Sequence, residues 1–176
     1  MNNKILSPRF WVITGMIAFA AVLRIVPHFP NFTPVAAMAL FGGAYFSNKK
    51  IAFIVPLIAM MVSDAIIGFH STMWAVYLSF ALIVFIGFGL REKRKISNVF
   101  AAALFSSVLF FIITNFAVWA TGTMYPMNLS GLLESYVAAI PFFRNSLLGD
   151  LFYVGIFFGA FEFVKLKFHV LAEAKA

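Results

Sequence analysis

The sequence contains no cysteine and few charged residues, and both deficits exclude whole classes of protein. Without cysteine there are no disulfides, no thiolate metal ligands and no thiol nucleophile. Only 11% of the 176 residues are charged, whereas soluble domains carry about 25%. Such a chain cannot cover a water-facing surface, which excludes a soluble enzyme, a nucleic-acid-binding domain and a disordered chain. The 63% hydrophobic composition predicts an integral membrane protein of one domain, residues 1–176.

Six apolar segments have the length and composition of transmembrane helices. A bilayer core about 30 Å thick takes roughly 20 helical residues, and helices are required because lipid satisfies no backbone hydrogen bonds. The predicted spans are residues 10–27, 33–46, 51–69, 73–90, 99–120 and 145–164. Residues 129–140 are apolar but too short to cross, so we expect a short interfacial helix there, in the last outer loop. The predicted fold is an all-α bundle of six transmembrane helices.

The basic residues predict the orientation of this bundle. Eleven of the thirteen fall on one side of the six spans, and basic loops are cytoplasmic by the positive-inside rule. These eleven are Lys4, Arg9, Lys49, Lys50, Arg91, Lys93, Arg94, Lys95, Lys165, Lys167 and Lys175. We therefore expect both termini in the cytoplasm. A competing interpretation takes residues 1–21 as a cleaved signal peptide, which would leave five spans.

Four spans place a polar or charged residue at one depth. Counting 1.5 Å per residue, Arg24, Asp64, Asn115 and Asp150 lie roughly 5–8 Å below the outer boundary. Ionisable residues in a membrane are costly and normally face the bundle interior and a partner. The pattern predicts an outward-opening pocket with these side chains at its base. The alternative interpretation is a buried ion pair of Arg24 with Asp64 or Asp150 that only holds the helices in register.

Residues near the outer boundary complete the predicted pocket. Its wall or lid is expected to contain Asn31, Trp74, Trp119 and Arg144. Predicted helix starts at Thr33-Pro34, Ser71-Thr72 and Asn145-Ser146 face the same side. Their positive dipole ends favour an anionic ligand, although these residues also serve as ordinary caps.

Pairs of small residues four positions apart predict close helix packing. Ala39 and Gly43 form such a pair in span two, and Gly155 and Gly159 form another in span six. Small residues let helix backbones approach closely, within one chain or between chains. In a protein of several helices we favour contacts within the chain.

Motifs for catalysis and for cofactors are missing. The sequence has no phosphate-cradling loop, no HExxH helix and no GxSxG elbow. Its histidines have no metal-ligand spacing. We therefore expect no enzyme activity, no cofactor and no metal. A membrane-embedded enzyme that uses His28, His70, Asp64, Glu134 or Asp150 is the least favoured hypothesis.

Several segments resemble one bacterial family. The segments are residues 24–28, 30–37, 41–45, 63–65, 68–70, 115–119, 139–145 and 149–150. They resemble an uncharacterised family of six-helix proteins assigned to transport, over nearly the whole chain. That family is similar to the substrate-binding S components of energy-coupling factor (ECF) vitamin transporters.

The resemblance implies a substrate binder in the bacterial cytoplasmic membrane that captures a vitamin or similar micronutrient. It also implies a transmembrane coupling subunit and two ATPases as partners. Many S components meet that subunit through alanines four apart, whereas Gly15, Ala18 and Ala21 are three apart here. The leading hypothesis is a substrate-binding subunit for uptake of a small, anionic and partly aromatic micronutrient. The alternative is a structural or assembly protein of the cell envelope.

Overall fold

The computed structural model describes residues 7–171 as an all-helical bundle. Its helices are α1 (Pro8–Ile25), α2 (Val35–Tyr45), α3 (Lys49–Ile67), α4 (Met73–Gly89), α5 (Ile96–Ala120) and α6 (Leu129–Lys167), followed by a short 3-10 helix, His169–Leu171. The predicted all-α class is confirmed, and each predicted span corresponds to one helix. Lys4 and Lys175, two of the basic residues used to predict orientation, lie outside the described residues.

Short polar side chains begin three of the helices. Ser7, Asn48 and Asn128 each accept a hydrogen bond from a backbone N–H in the first turn of α1, α3 and α6. These bonds satisfy donors that have no partner inside a helix. The predicted caps of α2 and α4 are wrong, because these helices follow Pro34 and Thr72 without a side-chain cap.

Helix α2 is the buried centre of the bundle. Each of its residues is buried, and it contacts all five other α-helices. At 1.5 Å per residue it is only about 16 Å long, shorter than a bilayer core. Side chains of α6 and of the loop between α4 and α5 bond to backbone groups at its two ends. The Asp150 carboxylate accepts a hydrogen bond from the Ala36 N–H, and Arg91 donates to the Gly43 and Phe46 carbonyls. A helix enclosed in this way does not need to span lipid.

Helices α2 and α4 cross with almost no space between their backbones. A Cβ atom built on Gly43 would lie 2.3 Å from a carbonyl oxygen of α4, and 2.9 Å from Cα of Gly87. Close packing predicted for span two is therefore confirmed at Gly43. Close packing predicted for span six is wrong within the described chain: a Cβ on Gly159 meets no atom within 4 Å, and one on Gly155 meets only the Phe100 ring, at 3.8 Å.

Helix α6 is continuous through the segment predicted as an interfacial helix, a loop and a sixth span. It contains 39 residues, or about 58 Å at 1.5 Å per residue. A separate interfacial helix over residues 129–140 is thus wrong, as is a helix start at Asn145. Packing on α5 favours the helical state: the Tyr136 O–H donates to the Ile112 carbonyl at 2.8 Å, and the Phe111 ring contacts Tyr136 and Phe143.

Basic residues gather at one end of the bundle, named here the basic end. It contains the starts of α1, α3 and α5 and the ends of α2, α4 and α6. Arg9 joins three elements there, donating to the Tyr45 carbonyl at 3.0 Å and the Leu171 carbonyl at 2.7 Å. The opposite end, formed by loops 26–34, 68–72 and 121–128, is named the cavity end.

The helices have the dimensions and surface of a membrane protein. Four of them, α1, α3, α5 and α6, are long and apolar enough to cross a bilayer, while α2 and α4 are shorter apolar helices. On α3, Ile54, Ile58, Val62 and Ile66 are exposed at four-residue intervals. Soluble monomers rarely expose a continuous apolar face of this kind. Together these features indicate a membrane-embedded protein.

Cysteine labelling tests the predicted orientation. With Ser47→Cys at the basic end and Ser71→Cys at the cavity end, we expect a membrane-impermeant maleimide to label intact cells only through Ser71→Cys. The native chain has no cysteine and supplies a clean background. Ser47 is preferred to its neighbour Asn48 because Asn48 caps α3. Labelling of both sites from one side would contradict the topology.

Candidate binding site

A cavity of about 430 Å³ lies at the cavity end of the bundle. Ligand pockets for small molecules commonly measure about 300–1,000 Å³. The lining comes from the end of α1, the loop after it and the start of α2, from the end of α3, the loop into α4 and the first turn of α4, from the middle and second half of α5, and from α6 near its proline. The residues are Arg24, His28, Asn31, Thr33, Val35, Ile67, His70, Thr72, Val76, Ser107, Phe110, Phe111, Thr114, Asn115, Val118, Ala139, Phe142, Phe143 and Ser146.

The lining combines one guanidinium group with neutral polar groups and aromatic rings. Arg24 is its only arginine, and it contains no aspartate, glutamate or lysine. Hydroxyl, amide and imidazole groups supply further hydrogen-bonding positions, and four phenylalanine rings supply apolar walls. A cavity with these groups suits a ligand that combines hydrogen-bond acceptors with an aromatic or apolar body.

Arg24 forms the base of the cavity through a buried ion pair. Its Nη2 atom lies 2.6 Å from Oδ1 of Asp64, and the two side chains are 10% and 1% exposed. Nη1 donates to Ser63 Oγ and to the Met60 carbonyl. The Tyr77 O–H donates to the other Asp64 oxygen at 2.7 Å. The network therefore connects α1, α3 and α4.

The network uses one edge of the guanidinium and leaves donors on the other. Arginine has five N–H donors, and three of those of Arg24 are taken by Met60, Ser63 and Asp64. No acceptor among residues 7–171 takes the remaining two. Because Arg24 also lines the cavity, these donors are available to a ligand there.

Two other lining side chains, on α5 and on the loop after α1, are oriented by hydrogen bonds to nearby backbone carbonyls. Asn115 donates through one Nδ2–H to the Phe111 carbonyl at 2.8 Å, which leaves its second Nδ2–H and its amide oxygen for other partners. Nδ1 of His28 lies 2.6 Å from the Val26 carbonyl, so that nitrogen carries the proton and Nε2 is the acceptor in the neutral ring. These bonds hold polar atoms in place before any ligand arrives.

Asp150 lies behind the cavity wall. It is 6% exposed, and its Oδ2 atom accepts a hydrogen bond from Ser107 Oγ at 2.6 Å. The Ala36 N–H is its second donor. Ser107 lines the cavity whereas Asp150 does not, so the serine hydroxyl connects this carboxyl group to the cavity.

Of the eight predicted site residues, five line the cavity or lie directly behind its lining, and three do neither. Arg24, Asn31 and Asn115 line the cavity, while Asp64 and Asp150 lie directly behind lining residues. The other three do not line it: Trp74 is 52% exposed, Arg144 is exposed, and the Trp119 ring N–H donates to the Pro126 carbonyl at 3.0 Å. Trp119 holds the loop between α5 and α6.

Sequence reasoning missed several lining residues. A weak signal existed for His28, because it is four positions after Arg24 and a continuous helix would place both on one face. Helix α1 ends at Ile25, before His28. Ser107 gave no signal in the sequence. The role of a serine in an apolar helix can be recognised only when its partner on the neighbouring helix is known, here Asp150 on α6. In the part of the chain that the structure describes, no three histidine, aspartate or glutamate residues form a metal-binding group.

Comparison with known proteins identifies a family and no characterised relative. Residues 4–172 match the profile of a family of unknown function (DUF6580). No curated protein and no solved structure matches the chain. Because the match covers nearly the whole sequence, the chain belongs to the family of unknown function DUF6580.

Proposed function

We propose that this protein is a membrane-embedded binding subunit for uptake of a small anionic micronutrient with an aromatic part. The observation that carries the proposal is the cavity, whose lining contains Arg24 with two unpaired N–H donors, aromatic rings and no acidic side chain. Charge-assisted hydrogen bonds from arginine to a carboxylate or phosphate are strong and directional. The phenylalanine rings supply the area that an apolar ligand body needs.

The proposed setting is the bacterial cytoplasmic membrane, with the basic end and both termini in the cytoplasm. In this orientation the cavity end faces outward, as capture of a nutrient requires. The chain acts by binding rather than by catalysis. Its resemblance to ECF S components supports a coupling subunit and two ATPases as partners. On α1, Gly15 and Ala18 are exposed whereas Ala21 is buried, so only the first two are available for such a contact.

Native mass spectrometry of the protein extracted from its own membrane tests this function. A retained mass of vitamin size, or a copurified coupling subunit with ATPases, is the expected result. A bare chain, or a chain bound only to envelope-assembly proteins, would support the structural alternative. That alternative draws on the Arg24–Asp64–Tyr77 network, which joins three helices through a buried ion pair.

Substitution of Asn115 tests the cavity itself. We expect Asn115→Ala to weaken binding of benzoate, used as a probe aromatic carboxylate, by about two- to twelvefold. The second Nδ2–H of Asn115 can donate to the carboxylate, and one hydrogen bond contributes about 0.5–1.5 kcal/mol. The matched control is Asn98→Ala on the same helix, because Asn98 bonds to the Lys93 carbonyl and lies outside the cavity. Isothermal titration calorimetry in nanodiscs measures both. Equal affinities in the two variants would contradict a ligand at Asn115.

A further inference from the structure

The three ionisable groups buried around the cavity do not balance in charge. Arg24 is neutralised by Asp64 across 2.6 Å. No arginine, lysine or histidine of the described chain lies within ion-pair distance of Asp150, whose partners are the neutral donors Ser107 and Ala36. An ionised Asp150 would leave one net negative charge in a region where uncompensated charge is costly. The start of α2 supplies only a partial positive charge through the Ala36 N–H, so no full counter-charge comes from the described residues.

The neighbours of Asp150 offer no replacement cation. Helix α5 has no charged or titratable residue along its whole length. Helix α2 has only Tyr45, at the basic end, and on α6 the nearest titratable residue is Tyr153. Across the cavity stand Arg24, already paired, and the imidazoles of His28 and His70. A proton on the carboxyl group itself is the simplest counter-charge.

We propose that Asp150 is a proton-binding site, and that at a pH where the empty site is ionised it takes up a proton when an anion binds in the cavity. The proton moves from the outer solution to a carboxylate oxygen, and the anion enters without bond making or breaking. The pair adds no net charge to the buried layer. The linkage rests on the anion binding proposed above, whereas the proton site itself does not.

Ser107 connects the proton to the cavity. Its Oγ atom lies 2.6 Å from Asp150 Oδ2 and 3.0 Å from the Ala103 carbonyl, but a hydroxyl has only one proton to donate. When Asp150 is ionised, that proton is held by the carboxylate. When Asp150 is protonated, its own O–H donates to Ser107 Oγ, and the serine proton is released for the Ala103 carbonyl or for an acceptor in the cavity.

This exchange makes anion and proton binding cooperative. An anion next to Ser107 is repelled by an ionised Asp150, and it gains both a neutral neighbour and a hydroxyl donor when Asp150 is protonated. Thermodynamic linkage then requires that each ligand raise the affinity for the other by the same factor. Protonated Asp150 still accepts the Ala36 N–H, so the start of α2 keeps its partner in both states.

Infrared difference spectroscopy tests the proton site without any ligand. In nanodiscs, the wild type should show a protonated-carboxyl C=O band that disappears on titration to alkaline pH and is missing from Asp150→Asn. Ser107→Ala, which leaves the carboxyl group in place, should keep this band to higher pH because the ionised form loses a donor. Identical wild-type and Asp150→Asn spectra, or a band in Ser107→Ala that titrates as in the wild type, would overturn the proposal.

Calorimetry with benzoate in buffers of different ionisation enthalpy tests the linkage. In the wild type we expect almost no proton uptake below the pH midpoint at which the unliganded band is lost, because Asp150 is already protonated there. Between that midpoint and the higher midpoint of the benzoate-bound protein, uptake should approach one proton per benzoate, and Asp150→Asn should show none at any pH. If the midpoint of the band is the same with and without bound benzoate, and benzoate binds above it without proton uptake, the linkage is overturned. If benzoate does not bind while the Asp150 band titrates, the proton site stands and the proposed anion binding is wrong.

Discussion

Arg24→Ala should lower the free energy of unfolding by about 3–5 kcal/mol, the usual cost of removing one partner of a buried ion pair. The substitution leaves Asp64, which is 1% exposed, without its cation. Tyr77 still donates to the carboxylate, but one neutral donor does not replace a guanidinium. Unfolding in mixed micelles with increasing dodecyl sulfate measures the loss.

A matched triple variant separates the cost of an unpaired buried charge from the cost of lost packing in this network. Arg24→Met, Asp64→Leu and Tyr77→Phe together remove the network and leave no polar group unpaired, so we expect most of the stability to return. If the protein is a scaffold, this variant should function normally. If it is a binding protein, the variant should fold but lose benzoate. A loss below about 1 kcal/mol for Arg24→Ala alone would show that water already solvates the pair.

Gly43→Ala should be the most damaging replacement in the buried helix α2. The new Cβ would lie 2.3 Å from the Val84 carbonyl oxygen, and backbone at a helix crossing cannot move away as a side-chain tip can. Overpacking of this kind costs about 1–3 kcal/mol and sometimes more. We expect a value near the upper end of that range, measured by the same micelle titration.

Gly159→Ala is the control for this substitution. It is also a helical glycine, but a Cβ there meets open space, so its effect should stay within about 0.5 kcal/mol. Equal losses for Gly43→Ala and Gly159→Ala would contradict the close crossing of α2 and α4. A loss at Gly159 alone would instead indicate a contact between chains.

Much of the architecture was predictable from local signals. Long apolar runs become helices because lipid and the protein interior both require internal backbone hydrogen bonds. Clusters of basic residues predicted which helix ends lie together, and Arg9 and Arg91 bridge neighbouring elements at that end. The continuity of α6 was missed because Glu134 and Pro141 interrupt its apolar pattern, while contacts with α5 favour a helix through both.

The sequence by itself determined that this protein is helical and rich in lipid-compatible surface. It also predicted that Arg24, Asp64, Asn115 and Asp150 lie at one depth. Only the tertiary structure decided that Arg24 pairs with Asp64 and leaves Asp150 to Ser107. The physical reason is geometric. Depth follows from counting residues along each helix, whereas partners depend on how each helix is rotated and which neighbour it packs against, and that is decided by contacts between residues far apart in the chain.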